Sequence, residues 1–109
     1  VHPIAVAGFF PDTEVTAQTV AILHDVLEDT ATTYQQLIDA GIAKVAADIV
    51  LELTRDPSMP YHEFIMGIKK GSRIARMVKA ADLMHNMTSL PAGDPLTRRY
   101  RKALLTLVE

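Results

Sequence analysis

The pattern of apolar and polar positions along the chain predicts helices throughout. Between Ile42 and Thr54, apolar residues recur every three or four positions, which is the spacing of one buried helix face. Helices are also predicted over 61–70 and 73–90, where a Gly-Ser pair separates two further segments of helical sequence. No segment alternates apolar and polar residues over six positions, so strands are not expected. The sequence therefore predicts an all-α fold.

Capping signals mark the ends of several predicted helices. Thr33 followed by Gln36 has the spacing of a capping box, and Gly41 fits the stop after that short helix. Two prolines three positions apart predict a loop over 55–60. Asp94-Pro95 combines a strong N-cap with proline at the first helical position, so the last helix is expected to begin there.

The start of the chain is predicted to hold two more helices. Pro3 suits the first turn of a short helix that ends near Gly8. Asp12 or Thr13 fits the N-cap of a second helix, which is expected to run to about Asp29. Together these elements predict one compact bundle of six or seven helices, without repeats or linkers.

Composition and charge restrict the classes of function. A chain of 109 residues, 49% of them hydrophobic, fits a single domain over 1–109 with a real core. Because the chain begins inside helical sequence, a longer natural protein would hold a further helix upstream.

The net charge of −2 argues against binding to duplex nucleic acid. No apolar run approaches the roughly 20 residues that cross a membrane, and the opening does not have the pattern of a signal peptide, so a cytoplasmic location is expected. The absence of cysteine excludes thiolate metal sites and thiol nucleophiles, which leaves four histidines and thirteen carboxylates as candidate chemistry.

The first candidate constellation lies in the segment 21–30. On a continuous helix, His24, Asp25, Glu28 and Asp29 would share one arc of about 140°, opposite an apolar face. Three neighbouring carboxylates repel one another, and the segment contains no lysine or arginine. A divalent cation is the simplest counter-charge, and the alternative is a solvated acidic face.

The second constellation lies in the penultimate predicted helix. Lys79, Asp82, Asn86 and Ser89 fall on one narrow stripe, with an apolar face opposite. An aspartate in so apolar a helix is costly unless it is paired or binds a metal. The alternative to a metal site is a salt bridge from Lys79 to Asp82 at a spacing of three. His85, on the edge of the same stripe, either supports a ligand or packs against the core.

Two histidines and two carboxylates form a candidate ligand set: His2, His24, Asp25 and Asp82. Mixed nitrogen and oxygen ligands suit one divalent ion such as Mn²⁺, with Fe²⁺ or Zn²⁺ as alternatives. His62 is expected to be a surface or packing residue.

Three motifs in chain order resemble the HD-domain phosphohydrolases of the RelA/SpoT type, and most closely their small stand-alone (p)ppGpp-hydrolase relatives. The motifs are His2-Pro3 with Val6-Ala7, HDVLEDT at 24–30 and VKAADLMHNM at 78–87. The resemblance covers nearly the whole chain. It implies an all-helical fold, a metal-dependent phosphohydrolase activity and a phosphorylated nucleotide as substrate.

The resemblance also implies roles for individual residues. The metal ligands would be the four residues named above, and Glu28 and Asp29 would act in catalysis. Glu28 would orient or deprotonate the attacking water as a general base, and Asp29 would hold that water or protonate the leaving oxygen. Lys79, Asn86 and Ser89 would bind phosphate or ribose.

Two departures from the family pattern concern substrate recognition. The family usually carries a basic helix before the His-Pro pair, and it commonly has arginine where this chain has Leu83. We therefore expect a (p)ppGpp 3′-pyrophosphohydrolase-like enzyme, with two alternatives. These are a phosphohydrolase for another nucleotide, and a catalytically silent nucleotide- or metal-binding regulatory module.

A basic cluster near the end of the chain has no assigned role. It contains Arg98, Arg99, Arg101 and Lys102 around Tyr100. A solvated helix face and a second phosphate clamp both fit this pattern. The sequence does not indicate an oligomeric state.

Overall fold

The structure is a computed structural model that describes residues 2–8 and 15–109, and it contains only helices and loops in those ranges. Its helices are α1 His2–Ala7, α2 Val15–Leu23, α3 Val26–Asp29, α4 Tyr34–Asp39, α5 Lys44–Glu52, α6 Tyr61–Lys70, α7 Arg73–Thr88 and α8 Pro95–Val108. Since α3 is a single turn of four residues, seven longer helices remain in the described ranges. The predicted all-α class, with six or seven helices, is confirmed. The N-cap expected at Asp12 or Thr13 lies outside the described residues.

Local capping signals produce the predicted helix ends. The Thr33 side chain accepts from the backbone N–H of Gln36, and the Gln36 side chain accepts from the backbone N–H of Thr33, so the capping box is complete. After α4, Gly41 adopts a φ of 96°, which favours glycine. Asp94 accepts from the N–H of Leu96 at the start of α8, directly before the proline. These short-range predictions are confirmed.

The prediction of one long helix to about Asp29 is wrong. The helix is interrupted at His24 and Asp25, between α2 and α3. Adjacent side chains on a regular helix diverge by about 100°. At the break, His24 Nε2 and Asp25 Oδ2 instead lie 3.1 Å apart. The interruption therefore lets both side chains reach the same point.

Helix α7 is the centre of the bundle. It packs against α1, α2, α5, α6 and α8, and its Val78 and Leu83 are fully buried in the core. With 16 residues it is the longest described helix, and no helix in the described ranges is long and apolar enough to cross a membrane. Because α1 and α2 both pack on α7, residues from the start of the chain meet residues from its last third.

Candidate metal centre

Four side chains converge where α1, the α2–α3 break and α7 meet. His2, His24, Asp25 and Asp82 each offer one ligand atom, and these atoms all lie within 4.8 Å of one another. His2 comes from α1, His24 and Asp25 from the break, and Asp82 from α7. The structure thus brings together the four residues that the sequence indicates as metal ligands.

Asp82 is the hub of this cluster and is almost fully buried. Its Oδ1 atom lies 2.5 Å from His2 Nε2 and 3.1 Å from His24 Nε2, and its Oδ2 atom accepts from Lys79 Nζ at 2.9 Å. Burial would raise the pKa of Asp82, but hydrogen bonding to His24 and the charge of Lys79 outweigh it and hold the pKa well below its usual range. Asp82 is therefore a carboxylate, which is the form that binds a cation.

His24 is buried and fixed in orientation by its backbone. Its Nδ1 atom donates to the carbonyl of Ala21 at 2.6 Å, which leaves Nε2 facing Asp25 and Asp82. Burial would lower the pKa of His24, but its hydrogen bonds to the two carboxylates raise it to about 10 without a metal. The side chain thus presents Nε2 to the cluster, and a metal would have to displace a proton from it.

His85 contacts the cluster through His2. The Nδ1 atoms of the two rings lie 2.7 Å apart, and the ring centroids are 4.9 Å apart. Because His2 Nε2 faces Asp82, the bond at Nδ1 fixes the other side of the same ring. Of the two alternatives for His85, the structure shows the supporting contact. The sequence indicated this contact through spacing, because a residue three positions after Asp82 lies near it on a helix.

Two of the three expected substrate-binding residues join the cluster through Asp82. Lys79 forms the salt bridge that the spacing suggested, and Asn86 Nδ2 lies 3.3 Å from Asp82 Oδ1. Ser89 is separate: α7 ends at Thr88, and the exposed Ser89 hydroxyl donates to the carbonyl of Asn86. The helix therefore ends one residue before Ser89, so Ser89 does not extend the stripe of Lys79, Asp82 and Asn86.

Glu28 and Asp29 do not join the four-residue cluster. Both are exposed on α3, and the Glu28 carboxylate accepts from the backbone N–H of Arg55. Glu28 and Arg55 line a cleft of about 590 Å³ between α3 and the loop after α5. The arc expected for a continuous helix is not formed, because the break separates Glu28 from His24. The hydrogen bond between Glu28 and Arg55 was not predictable from the sequence. Its donor is a backbone N–H, which almost every residue type has.

The donor set fits a borderline or hard divalent ion. It offers two imidazole nitrogens and two carboxylate oxygens, and the chain has no cysteine to add a thiolate. Both nitrogens of His24 and of His2 have defined partners, as the imidazole ligands of metal sites usually do. These residues could therefore hold a metal ion.

Known proteins provide an independent comparison. No protein-family model matches the chain. The chain is 30% identical over 111 residues to the bifunctional (p)ppGpp synthase/hydrolase SpoT of Escherichia coli. The aligned region covers 90% of this chain and 16% of SpoT. It is 34% identical over 110 residues to the guanosine-3′,5′-bis(diphosphate) 3′-pyrophosphohydrolase of Haemophilus influenzae, with 90% and 16% covered.

A shorter relative is covered to a greater extent. The chain is 34% identical over 102 residues to the guanosine-3′,5′-bis(diphosphate) 3′-pyrophosphohydrolase MESH1 of Danio rerio. The aligned region covers 86% of this chain and 56% of MESH1. The chain thus spans just over half the length of MESH1 and a much smaller part of the bacterial relatives.

Proposed function

We propose that this chain, a homologue of (p)ppGpp 3′-pyrophosphohydrolases, is a metal-dependent hydrolase that removes the 3′-diphosphate of (p)ppGpp. One observation carries the proposal: two histidines and two aspartates from distant parts of the chain meet around a buried carboxylate. The similarity to named hydrolases over about nine tenths of the chain supports the same activity.

We assign one divalent ion, Mn²⁺, to His2, His24, Asp25 and Asp82, with Fe²⁺ and Zn²⁺ as alternatives. Hard oxygen ligands together with imidazole favour these ions over soft, thiolate-preferring ones. When bound, such an ion lowers the pKa of water and polarises a phosphoryl oxygen. The bonds from His24 Nδ1 to Ala21 and from His2 Nδ1 to His85 would hold both rings in place.

Glu28 and Asp29 are assigned to proton transfer. Glu28 would exchange its bond to the Arg55 amide for one to the attacking water, and it would take up the proton of that water. The water oxygen forms a bond to the 3′ phosphorus, the bond from phosphorus to the 3′ oxygen breaks, and Asp29 supplies a proton to that oxygen. The products are diphosphate and a nucleotide with a free 3′ hydroxyl, which keeps its 5′ diphosphate or triphosphate.

Lys79 and Asn86 are assigned to the substrate. The Lys79 side chain is mostly buried, and although burial would lower its pKa, the charge of Asp82 outweighs this and raises it. A lasting positive charge next to Asp82 suits a phosphoryl oxygen, and the Asn86 amide adds a neutral donor. Ser89 stays a candidate for a more distant contact to the substrate.

A second candidate substrate is another nucleotide with a 3′ phosphate. The absence of arginine after Asp82 favours this alternative, since this chain has Leu83 there and packs that side chain into the core. Loss of a cation next to Asp82 would change recognition of the substrate rather than metal binding. The single domain over 1–109 and the cytoplasmic location stay predictions.

Hydrolysis by the metal-loaded protein tests the proposed function. Protein loaded with Mn²⁺ is expected to release diphosphate from ppGpp, and a chelator should stop the release. The Glu28→Gln variant should keep its metal but lose about 10² to 10⁴ in kcat, the usual contribution of a general base. If Mn²⁺ binds but no 3′-phosphorylated nucleotide is turned over, the chain is a binding module and the proposal is wrong.

A further inference from the structure

A cavity between α6 and α8 has no role in the proposed reaction. Its volume is about 240 Å³, and its walls carry Tyr61 and His62 from α6 and Arg99, Lys102 and Thr106 from α8. No carboxylate lines it. The structure thus divides the basic cluster of α8, because Arg98 and Arg101 line a different cleft at the start of that helix.

The two cations of this cavity lack an acidic partner. In the described part of the chain neither Arg99 nor Lys102 forms an ion pair, and α8 contains no acidic residue between Pro95 and Val108. Both side chains are exposed. Arg99 and Lys102, one helical turn apart, therefore line a cavity that contains no acidic side chain among the described residues.

Arg99 is already held in position for a ligand. Its guanidinium carbon lies 3.8 Å from the centroid of the Tyr61 ring, which is a close cation–π contact. The guanidinium carries five N–H donors in a rigid fork, a geometry that matches an oxyanion. The Tyr61 hydroxyl is buried without a hydrogen-bond partner among the described residues.

We propose that this cavity binds a phosphate or diphosphate group, held by Arg99 and Lys102 above the Tyr61 ring. Several oxygens and more than one negative charge suit a phosphate, because two cations and the Thr106 hydroxyl can each take a separate oxygen. As a second phosphate site for the substrate, the cavity rests on the proposed function.

A chain of ring contacts connects the cavity to the metal centre through Phe64. Lys79, which pairs with Asp82, has its Nζ atom 5.7 Å from the centroid of the Phe64 ring. The Phe64 ring is in turn 6.5 Å from the ring of Tyr61, below Arg99. Two sources of the anion fit this arrangement: the second diphosphate of a substrate bound at the metal centre, and a separate phosphate-bearing molecule.

Calorimetric titration of inorganic diphosphate into chelator-treated protein tests the site without any turnover. The double variant Arg99→Gln, Lys102→Gln should bind roughly a hundredfold more weakly or worse, since it removes two charged hydrogen bonds and each of them changes affinity by about tenfold or more. The matched control is Arg98→Gln, Arg101→Gln, which removes the same charge at the same spacing of the same helix and should bind normally. All four side chains are exposed, so thermal melting should show that both variants fold. Equal weakening in both variants, or no binding by the unchanged protein, would overturn the proposal.

Kinetics then identify the source of the anion. If it is the substrate's second diphosphate, the Arg99, Lys102 variant should raise KM for ppGpp by roughly a hundredfold, in line with its loss of diphosphate binding. KM for a guanosine 3′-diphosphate without the 5′ group should stay the same, as should kcat. Unchanged KM for both, together with lost binding of diphosphate, assigns the cavity to a separate anion. If the protein hydrolyses neither substrate, the proposed function fails, and the calorimetric result still decides whether the cavity binds an anion.

Discussion

His2 Nε2 lies 2.5 Å from Asp82 Oδ1, although the two residues are 80 positions apart in the chain. His2 is in α1 and Asp82 is in α7, so the contact exists only when these helices pack together. The candidate metal centre is therefore a product of tertiary packing, and changes at its hub should affect both the ion and the fold.

Removal of the Asp82 charge should destabilise the protein even without a metal. In Asp82→Asn, the buried Lys79 loses its ion-pair partner, and such a loss costs about 3–5 kcal/mol of the free energy of unfolding. Urea denaturation of the chelator-treated protein measures this. The matched control is Asp48→Asn, whose bridge to Lys44 is exposed and should contribute much less. Equal losses in the two variants would contradict the buried role of Asp82.

The stability of the metal-free protein should fall as the pH rises above neutrality. The pKa of His24 is raised from its usual 6.5 to about 10, so the folded state binds this proton more tightly than the unfolded chain does. The resulting stabilisation is fully present below pH 6.5 and is lost as the pH rises to about 10. We expect Tm to fall across this window, and to fall less in His24→Gln. The same slope in both proteins would show that another group causes it.

Bound Mn²⁺ should show the opposite dependence on pH. A metal needs the neutral Nε2 atom of His24, so binding releases the proton that this ring holds without a metal. The stabilisation by Mn²⁺, measured as the rise in Tm at a fixed concentration, should therefore increase from pH 6.5 upward. A rise in Tm that does not vary with pH, together with no release of protons in calorimetry, would contradict the role of His24.

The capping box at the start of α4 should contribute measurably to stability. Thr33→Ala removes the acceptor for the backbone N–H of Gln36, and the expected loss is about 1 kcal/mol of the free energy of unfolding. Thr32→Ala, one residue earlier, removes a hydroxyl that does not cap the helix and should change little. Denaturation by urea compares the two variants.

The parts of the fold that were predictable depend on neighbours in the chain. Thr33 with Gln36, and Asp94 with the following proline, form their bonds within a few residues, so their types and spacing were sufficient. The His24–Asp25 break was not predictable, because local helical propensity continues through it. Contacts to Asp82, more than fifty positions away, accompany that break.

The same distinction applies to the candidate site. Asp82 and Lys79 lie on one regular helix, so the angular spacing brought them together correctly. Ser89 lies beyond the end of α7, and Glu28 lies beyond the break, so extrapolation of a regular helix misplaced both. The cation–π contact between Arg99 and Tyr61 joins α8 to α6, and neither residue alone indicated it.

Stoichiometric binding of Mn²⁺ tests the central claim most directly. Titration followed by electron paramagnetic resonance should show one tightly bound ion per chain in the unchanged protein. His24→Ala should abolish this binding, whereas His62→Ala, which changes an exposed histidine in the other cavity, should retain it. Equal binding by the unchanged protein and His24→Ala would contradict a metal centre formed by His2, His24, Asp25 and Asp82.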